Sequence, residues 1–138
     1  MKTKLFLGIL VCTVLISCKT NKNVTNENIH RNWLLVQFED FPKEKLMDKN
    51  CYLDLRDKEN AAAKMGCNSL GFSYYLNNGN AISFKQGSAT RMFCDDNTIE
   101  TKFLEVITTS SSYKIEGQKL YLTTKSDKEL IFIAEDWD

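Results

Sequence analysis

The chain is short of most parts from which active sites are assembled. Of its 138 residues one is a histidine, His30, and that residue falls in a stretch, 18–32, with little apolar content. A Cys-His nucleophile or a histidine metal site needs a base or ligand held in place by packing, so neither is expected. No Cys-x-x-Cys or His pair occurs to suggest zinc. Neither sign of charge is in surplus, with 18 Lys and Arg against 18 Asp and Glu. That balance removes the basic footprint with which nucleic-acid binders displace counterions from phosphates. No apolar run reaches the roughly 20 residues that span a hydrocarbon core, and no fixed-period repeat is present. The single proline, Pro42, leaves strands rarely interrupted. What is there is ordinary globular composition, 43% hydrophobic and 26% charged, which excludes collagen, disorder and a polytopic membrane protein. The length suits one domain. No enzymatic activity, cofactor or metal is expected.

The N-terminus reads as an address. Met1-Lys2-Thr3-Lys4 is basic, and Leu5 to Ile16 is apolar apart from Gly8 and Thr13, the layout of an export signal. The run closes on Leu15-Ile16-Ser17-Cys18, which resembles a bacterial lipobox. That resemblance implies cleavage after Ser17 (signal 1–17), a diacylglyceryl group on the Cys18 thiol and acylation of the new amino group. Two or three chains anchor stably, at about 0.8 kcal/mol per buried methylene. The bland alternative is a secreted protein in which Cys18 is an idle thiol. Cleavage removes Lys2 and Lys4 and no acid, leaving 16 basic and 18 acidic residues and a net charge of −2. Residues 18–32, rich in Asn, read as a flexible tether whose first dozen residues reach roughly 20 Å. Lys19-Thr20-Asn21-Lys22 carries no acid next to the lipidated position, which favours the periplasmic face of the outer membrane.

From Trp33 onward, short alternating runs separated by turn signals indicate an antiparallel sheet. Cys51, Leu53 and Leu55 share one side of a strand, with Tyr52, Asp54 and Arg56 on the other. Asn77-Asn78-Gly79-Asn80 between Phe72–Leu76 and Ala81–Phe84 predicts a tight hairpin. Gly117-Gln118 and Lys125-Ser126-Asp127-Lys128 mark two further turns. One segment breaks the period: Ile99, Phe103, Val106 and Ile107 form a helical stripe, and Asn97 with Glu100 resembles a capping pair. The expectation is therefore mostly β (α+β): a curved antiparallel sheet or small, partly open barrel of about 7–8 strands, with one packed helix near 98–108. Asp95-Asp96-Asn97 lacks the EF-hand alternation and glycine and reads as helix entry, its acids suiting the positive end of the dipole.

Two short motifs, Gly66-Cys67-Asn68 and Ala89-Thr90-Arg91-Met92-Phe93-Cys94, resemble the paired signatures of the META domain, the HslJ-like family of bacterial envelope proteins. Gly66, Asn68, Thr90 and Met92 are the positions that carry the match, together with an early Trp33-Leu34, the Asn-Gly turn, the helix with Glu100 and Phe103-Leu104, and the Tyr113-x-Ile115 and Leu120-x-Leu122 runs. The resemblance covers 33–134, followed by an acidic tail at 135–138. It departs in a reduced loop between Cys67 and Phe72 and an extra Cys51. The fold it implies is a small antiparallel structure curled towards a barrel with a helix packed on it. It associates the chain with heat-shock or antibiotic stress and brings no established chemistry.

Cys12 leaves with the signal and Cys18 is the lipidation candidate, so Cys51, Cys67 and Cys94 remain. An exported protein tolerates disulfides, and the expected bridge joins Cys67 to Cys94, leaving Cys51 as a buried free thiol. The competing reading makes all three small core residues. Thr90 and Arg91 suit either a structural hydrogen-bonding role or a polar binding patch. Strand aromatics such as Trp33, Phe72 and Tyr74 suit either a filled core or a lipocalin-like cavity. The expected function is a non-enzymatic binding or structural module, held at the membrane through Cys18, with an envelope protein as partner and no nucleic acid. The alternative is a small-ligand carrier that uses the sheet interior.

Overall fold

Alternation of side chains sets the architecture. The computed structural model describes residues 26–137, and its eight strands bury alternate side chains over most of their length, with residues 85–89 exposed throughout. In chain order they are β1 (Asn32–Phe38), β2 (Tyr52–Asp54), β3 (Asn60–Lys64), β4 (Ser69–Asn77), β5 (Ala81–Ala89), β6 (Ser110–Glu116), β7 (Lys119–Thr124) and β8 (Glu129–Ala134). Two helices interrupt them, α1 (Lys43–Asp48) and α2 (Thr98–Ile107). Every neighbour pairs antiparallel, and β1 also pairs with β8 through Trp33↔Ala134 and Phe38↔Leu130, so the sheet closes into a barrel. Closure removes the open edges that a partly open barrel would carry.

In β1 the inward residues are Trp33, Leu35 and then Phe38. The change of phase comes from a bulge between Leu35 and Gln37 against β8, which inserts one residue and restores the apolar face. Small residues face large ones: Ala61 and Ala63 of β3 lie opposite Phe72 and Leu70 of β4. The β4–β5 connection follows the Asn-Gly expectation, with positive φ at Gly79 (75°) and Asn80 (65°).

The up-and-down order places alternate connections at opposite ends. One end, the helix pole, carries α1, residues 65–68, residues 90–97 with α2, and residues 125–128. The other, the terminal pole, carries residues 55–59, 78–80 and 117–118, and both ends of the described chain. Between β5 and β6 the ladder thins to Ala81↔Ser112, backed by the Tyr113 N–H donating to the Asn80 carbonyl at 2.9 Å. The α2 helix connects these two strands and lays Ile99, Phe103, Val106 and Ile107 on the core. Phe103 meets Phe38 and Phe72 edge-on, at centroid distances of 6.4 and 6.3 Å.

Four expectations change. A second helix, α1, is present; it is short and buries only Leu46, so it leaves no apolar period to read. The Asn97–Glu100 capping pair does not form: Asn97 makes no side-chain cap, and Asp96 accepts from the Thr98 N–H instead, at 3.1 Å. The tether does not run to Asn32. A 3₁₀ turn spans Asn26–Ile29, Ile29 is fully buried, and its carbonyl accepts the Trp33 indole N–H at 2.8 Å. Part of the acidic tail is fastened as well, since Asn32 donates its side-chain amide to Glu135 at 2.8 Å and the Glu135 N–H reaches the Asn32 carbonyl at 3.0 Å. The signal 1–17, Cys18 and the first part of the tether lie outside the described residues.

Candidate functional site

The two signature motifs meet at the helix pole, and Asn68 is their junction. Its backbone N–H and its side-chain amide both donate to the Glu100 carboxylate, at 2.7 and 2.8 Å. Its side-chain oxygen accepts from the Met92 N–H at 2.7 Å and the Thr90 hydroxyl at 3.0 Å. Thr90 then closes back on the first motif: its hydroxyl oxygen accepts from the Ser69 N–H, and its own N–H donates to the Ser69 carbonyl, each at 3.0 Å. Asn68 and Glu100 are both buried, and a buried polar pair is tolerable only when its bonding capacity is met in this way. Among the described residues Glu100 has no ion-pair partner. Its two N–H donors and its place in the first turn of α2 supply the compensation.

A disulfide joins Cys67, beside Asn68, to Cys94, two residues beyond Met92, with their Cα atoms 6.2 Å apart. Gly66 has a φ of 102°, and a Cβ there would lie 3.1 Å from the Lys49 side chain, so both backbone and space call for glycine. Lys45 of α1 pairs with Asp96 at 3.0 Å. Hydrogen bonds from the Thr98 side chain and from Lys45 hold the Asp96 carboxyl well below the usual carboxylate range. Cys51 is a buried free thiol, pushed by burial up to about 11, and so a poor nucleophile at neutral pH.

Thr90 therefore has the structural role, whereas Arg91, Met92 and Phe93 project outward. Phe93 is 97% exposed and Met92 63%, although the backbone on either side of them is tied down. The exposure of Met92 and Phe93 is invisible in the sequence, where both look like core residues. The inward position of Glu100 does have a signal: it lies three residues before Phe103 and seven before Ile107, on the buried stripe.

At the terminal pole His30 is held rather than loose. Its Nδ1 lies 3.1 Å from the Leu55 carbonyl and 3.0 Å from the Tyr74 hydroxyl, and that hydroxyl donates to the Asp57 carbonyl at 2.7 Å. Burial, with smaller effects from Asp57 and Asp54, pushes the Tyr74 phenol up to about 12. His30 borders a solvent-open cleft of about 500 Å³ with Lys58, Asn60 and Tyr75 on its walls. Cys51 precedes β2 at the helix pole, so the lone histidine and the free thiol belong to opposite ends of the barrel. Among the described residues no group of three or more His, Cys, Asp or Glu is placed to hold a metal ion, and no helix is long and apolar enough to cross a membrane.

The barrel interior is filled by its own side chains. Trp33, Leu35, Leu53, Tyr74, Leu120 and Phe132 are each exposed by 1% or less. Tyr74 stacks on Phe84 with ring centroids 5.9 Å apart.

A sequence model of the META domain matches residues 24–137. Among curated proteins none is significantly similar in sequence. Among solved structures, an NMR structure of a protein from Burkholderia xenovorans superposes with a TM-score of 0.62 at 22% identity, covering 78% of this chain and 83% of the other. A DUF4847 family protein from Bacteroides vulgatus gives 0.58 at 11% identity, with coverages of 79% and 95%. A further protein known by NMR gives 0.61 at 22% identity, with coverages of 78% and 91%. At these identities the likeness is one of fold.

Proposed function

The chain belongs to the META domain family, and we propose that it acts as a lipid-anchored binding or structural module of the bacterial envelope, without chemistry of its own. The single observation that carries this reading is the use made of the signature residues. Asn68, Thr90, Glu100, Cys67 and Cys94 spend their polar and sulfur groups on one another. None is left aimed at a substrate. The residues that would suit a mechanism are thus consumed in fixing loops, and loops fixed on a rigid barrel are the usual place for recognition.

The anchor rests on Leu15-Ile16-Ser17-Cys18 and the basic, apolar segment before it, and the outer-membrane address on the neutral-to-basic residues that follow. A role in heat-shock or antibiotic stress rests on the family resemblance. The carrier alternative needs an internal cavity, and the filled interior argues against it.

The test is metabolic labelling with a radioactive fatty acid, followed by membrane fractionation, for the wild type and Cys18→Ala. Label and outer-membrane recovery that both disappear in the variant support the anchor. A wild-type chain that takes up no label, or a variant that stays membrane-bound, refutes it.

A further inference from the structure

We infer that the outer wall of the barrel built from β2, β1, β8 and β7 lies on a phospholipid bilayer, with Leu34 and Ile133 entering the acyl boundary and Lys64 and Lys119 meeting headgroup phosphates on either flank. Which membrane this is rests on the anchor reading above. Alternation turns Tyr52, Leu34, Val36, Ile131, Ile133 and Tyr121 away from the core on four adjacent strands, and all six are partly exposed. Strand register joins them into one strip. A row runs Lys64–Tyr52–Leu34–Ile133–Lys119 across five strands, and beside it Ile131 stands next to Tyr121 with Lys114 beyond. β-Branched and aromatic residues favour strands on either face, so their presence alone decides little. Their distribution decides more: the same outward face carries Gly71 and Ser73 on β4 and Ser83 and Lys85 on β5, with Tyr75 as the exception. A contiguous apolar strip confined to one wall of a small barrel marks an interaction surface.

The rim of the strip selects a lipid surface as its occupant. Because the barrel is closed its wall is convex, so the middle of the row is a crest and the two lysines fall away on opposite sides. An interfacial surface buries its apolar part roughly 5–10 Å into the boundary between headgroups and acyl chains, and a convex crest has that relief. Tyrosine rings settle at headgroup level, and lysine reaches its ammonium there along an apolar stem. Lys64 and Lys119 enter no ion pair among the described residues. Of the acids nearby, Asp54 pairs with Arg56, Glu116 pairs with Lys114, Glu135 accepts the Asn32 amide, and Glu129 stands at the helix-pole end of the strip. A second copy laid wall to wall along the row would set lysine against lysine at both ends, which disfavours self-association. The anchor supplies proximity: the eight residues from Cys18 to Asn26 span at most about 28 Å, and β1, the middle strand of the row, begins six residues later at Asn32. A slack tether of that length lets any wall turn to the bilayer, and the chemistry of the walls chooses among them. Docking by a tethered domain is intramolecular, so a modest contact populates it.

The experiment is site-specific photocrosslinking of the full chain in intact cells, with Ile133→p-benzoylphenylalanine compared with Ser73→p-benzoylphenylalanine on the opposite wall and adducts read by mass spectrometry. The expected result is a phospholipid adduct from position 133 that position 73 does not give. Leu34→Glu in the position-133 chain should cut that adduct about tenfold, by placing a charge at the crest. Tyr121→Glu, on a different strand, should weaken it too and carries the test if Leu34→Glu lowers the urea midpoint. No phospholipid adduct above the position-73 control, an adduct from position 133 with a protein or a second copy of this chain, or labelling that both glutamate variants leave unchanged would overturn the docking wall. Fractionation of the same cells separates the two readings. A membrane-bound chain labelled equally at both positions refutes the wall alone, and a chain recovered as soluble protein without irradiation that still forms the position-133 adduct on irradiation refutes the anchor alone.

Discussion

Asn68 and Glu100 are joined twice across 32 residues of sequence, the backbone N–H of Asn68 to one carboxylate oxygen and its side-chain amide to the other, at 2.7 and 2.8 Å. This pairing ties the β3–β4 connection to α2, and through the asparagine's own oxygen it also fixes the strand end that carries Thr90 and Met92.

Asn68→Ala should cost about 2–3 kcal/mol, because the buried Glu100 carboxylate keeps only the backbone N–H of residue 68, and the Met92 N–H and Thr90 hydroxyl lose their acceptor. Glu100→Ala in the same background should add much less than it costs in the wild type, since the two side chains act as one unit. Urea unfolding of the four proteins in this cycle checks it. Additive losses would mean that the pair is not coupled.

The Cys67–Cys94 bridge closes a loop with a sequence separation of 27, worth about 3–4 kcal/mol in the chain-entropy treatment. Cys67→Ala with Cys94→Ala should lower the unfolding free energy by that order, and reductant should then have no further effect. Mass mapping under non-reducing conditions should find Cys51 as the free thiol. Alkylation of Cys67 or Cys94 in the folded, unreduced protein would contradict the pairing.

The strand pattern, the Asn78-Gly79 turn and the stripe of α2 were legible in the sequence because each is a local rule, expressed within ten residues. Closure of the barrel is not local. Trp33 pairs with Ala134, 101 positions away, and no spacing in the sequence encodes that register. What holds His30 is equally remote in sequence: the Leu55 carbonyl and the Tyr74 hydroxyl, 25 and 44 positions away, meet its ring. Two local rules compete for Glu100: capping puts it at the helix start as a partner for Asn97, whereas its position on the buried stripe turns it inward to Asn68.

Phe93→Ser and Met92→Ser should leave stability within about 0.5 kcal/mol of the wild type, as exposed substitutions do. Phe103→Ala, which removes a ring packed between Phe38 and Phe72, should cost about 3–5 kcal/mol. Thermal or urea unfolding distinguishes them, and a large loss from Phe93→Ser would place that ring in the core.

Stability should fall on the alkaline side. Burial pushes Cys51 up to about 11 and Tyr74 up to about 12, so both groups hold their protons more tightly folded than unfolded. Their contribution is full below their unfolded values, near 9 and 10, and is lost as pH rises through about 11 and about 12. The urea midpoint measured from pH 8 to 11.5 should decline, and Cys51→Ala should flatten the start of that decline. An unchanged profile in the variant would contradict a buried, protonated thiol.

The central structural claim is that the signature residues fix the backbone beneath an exposed Met92–Phe93 tip. Amide hydrogen exchange at Met92 tests it most directly, since this N–H is bonded to the side chain of Asn68 at 2.7 Å. Strong protection of the Met92 amide, lost in Asn68→Ala, is the expected result. Exchange in the wild type at the rate of an open loop would contradict the claim.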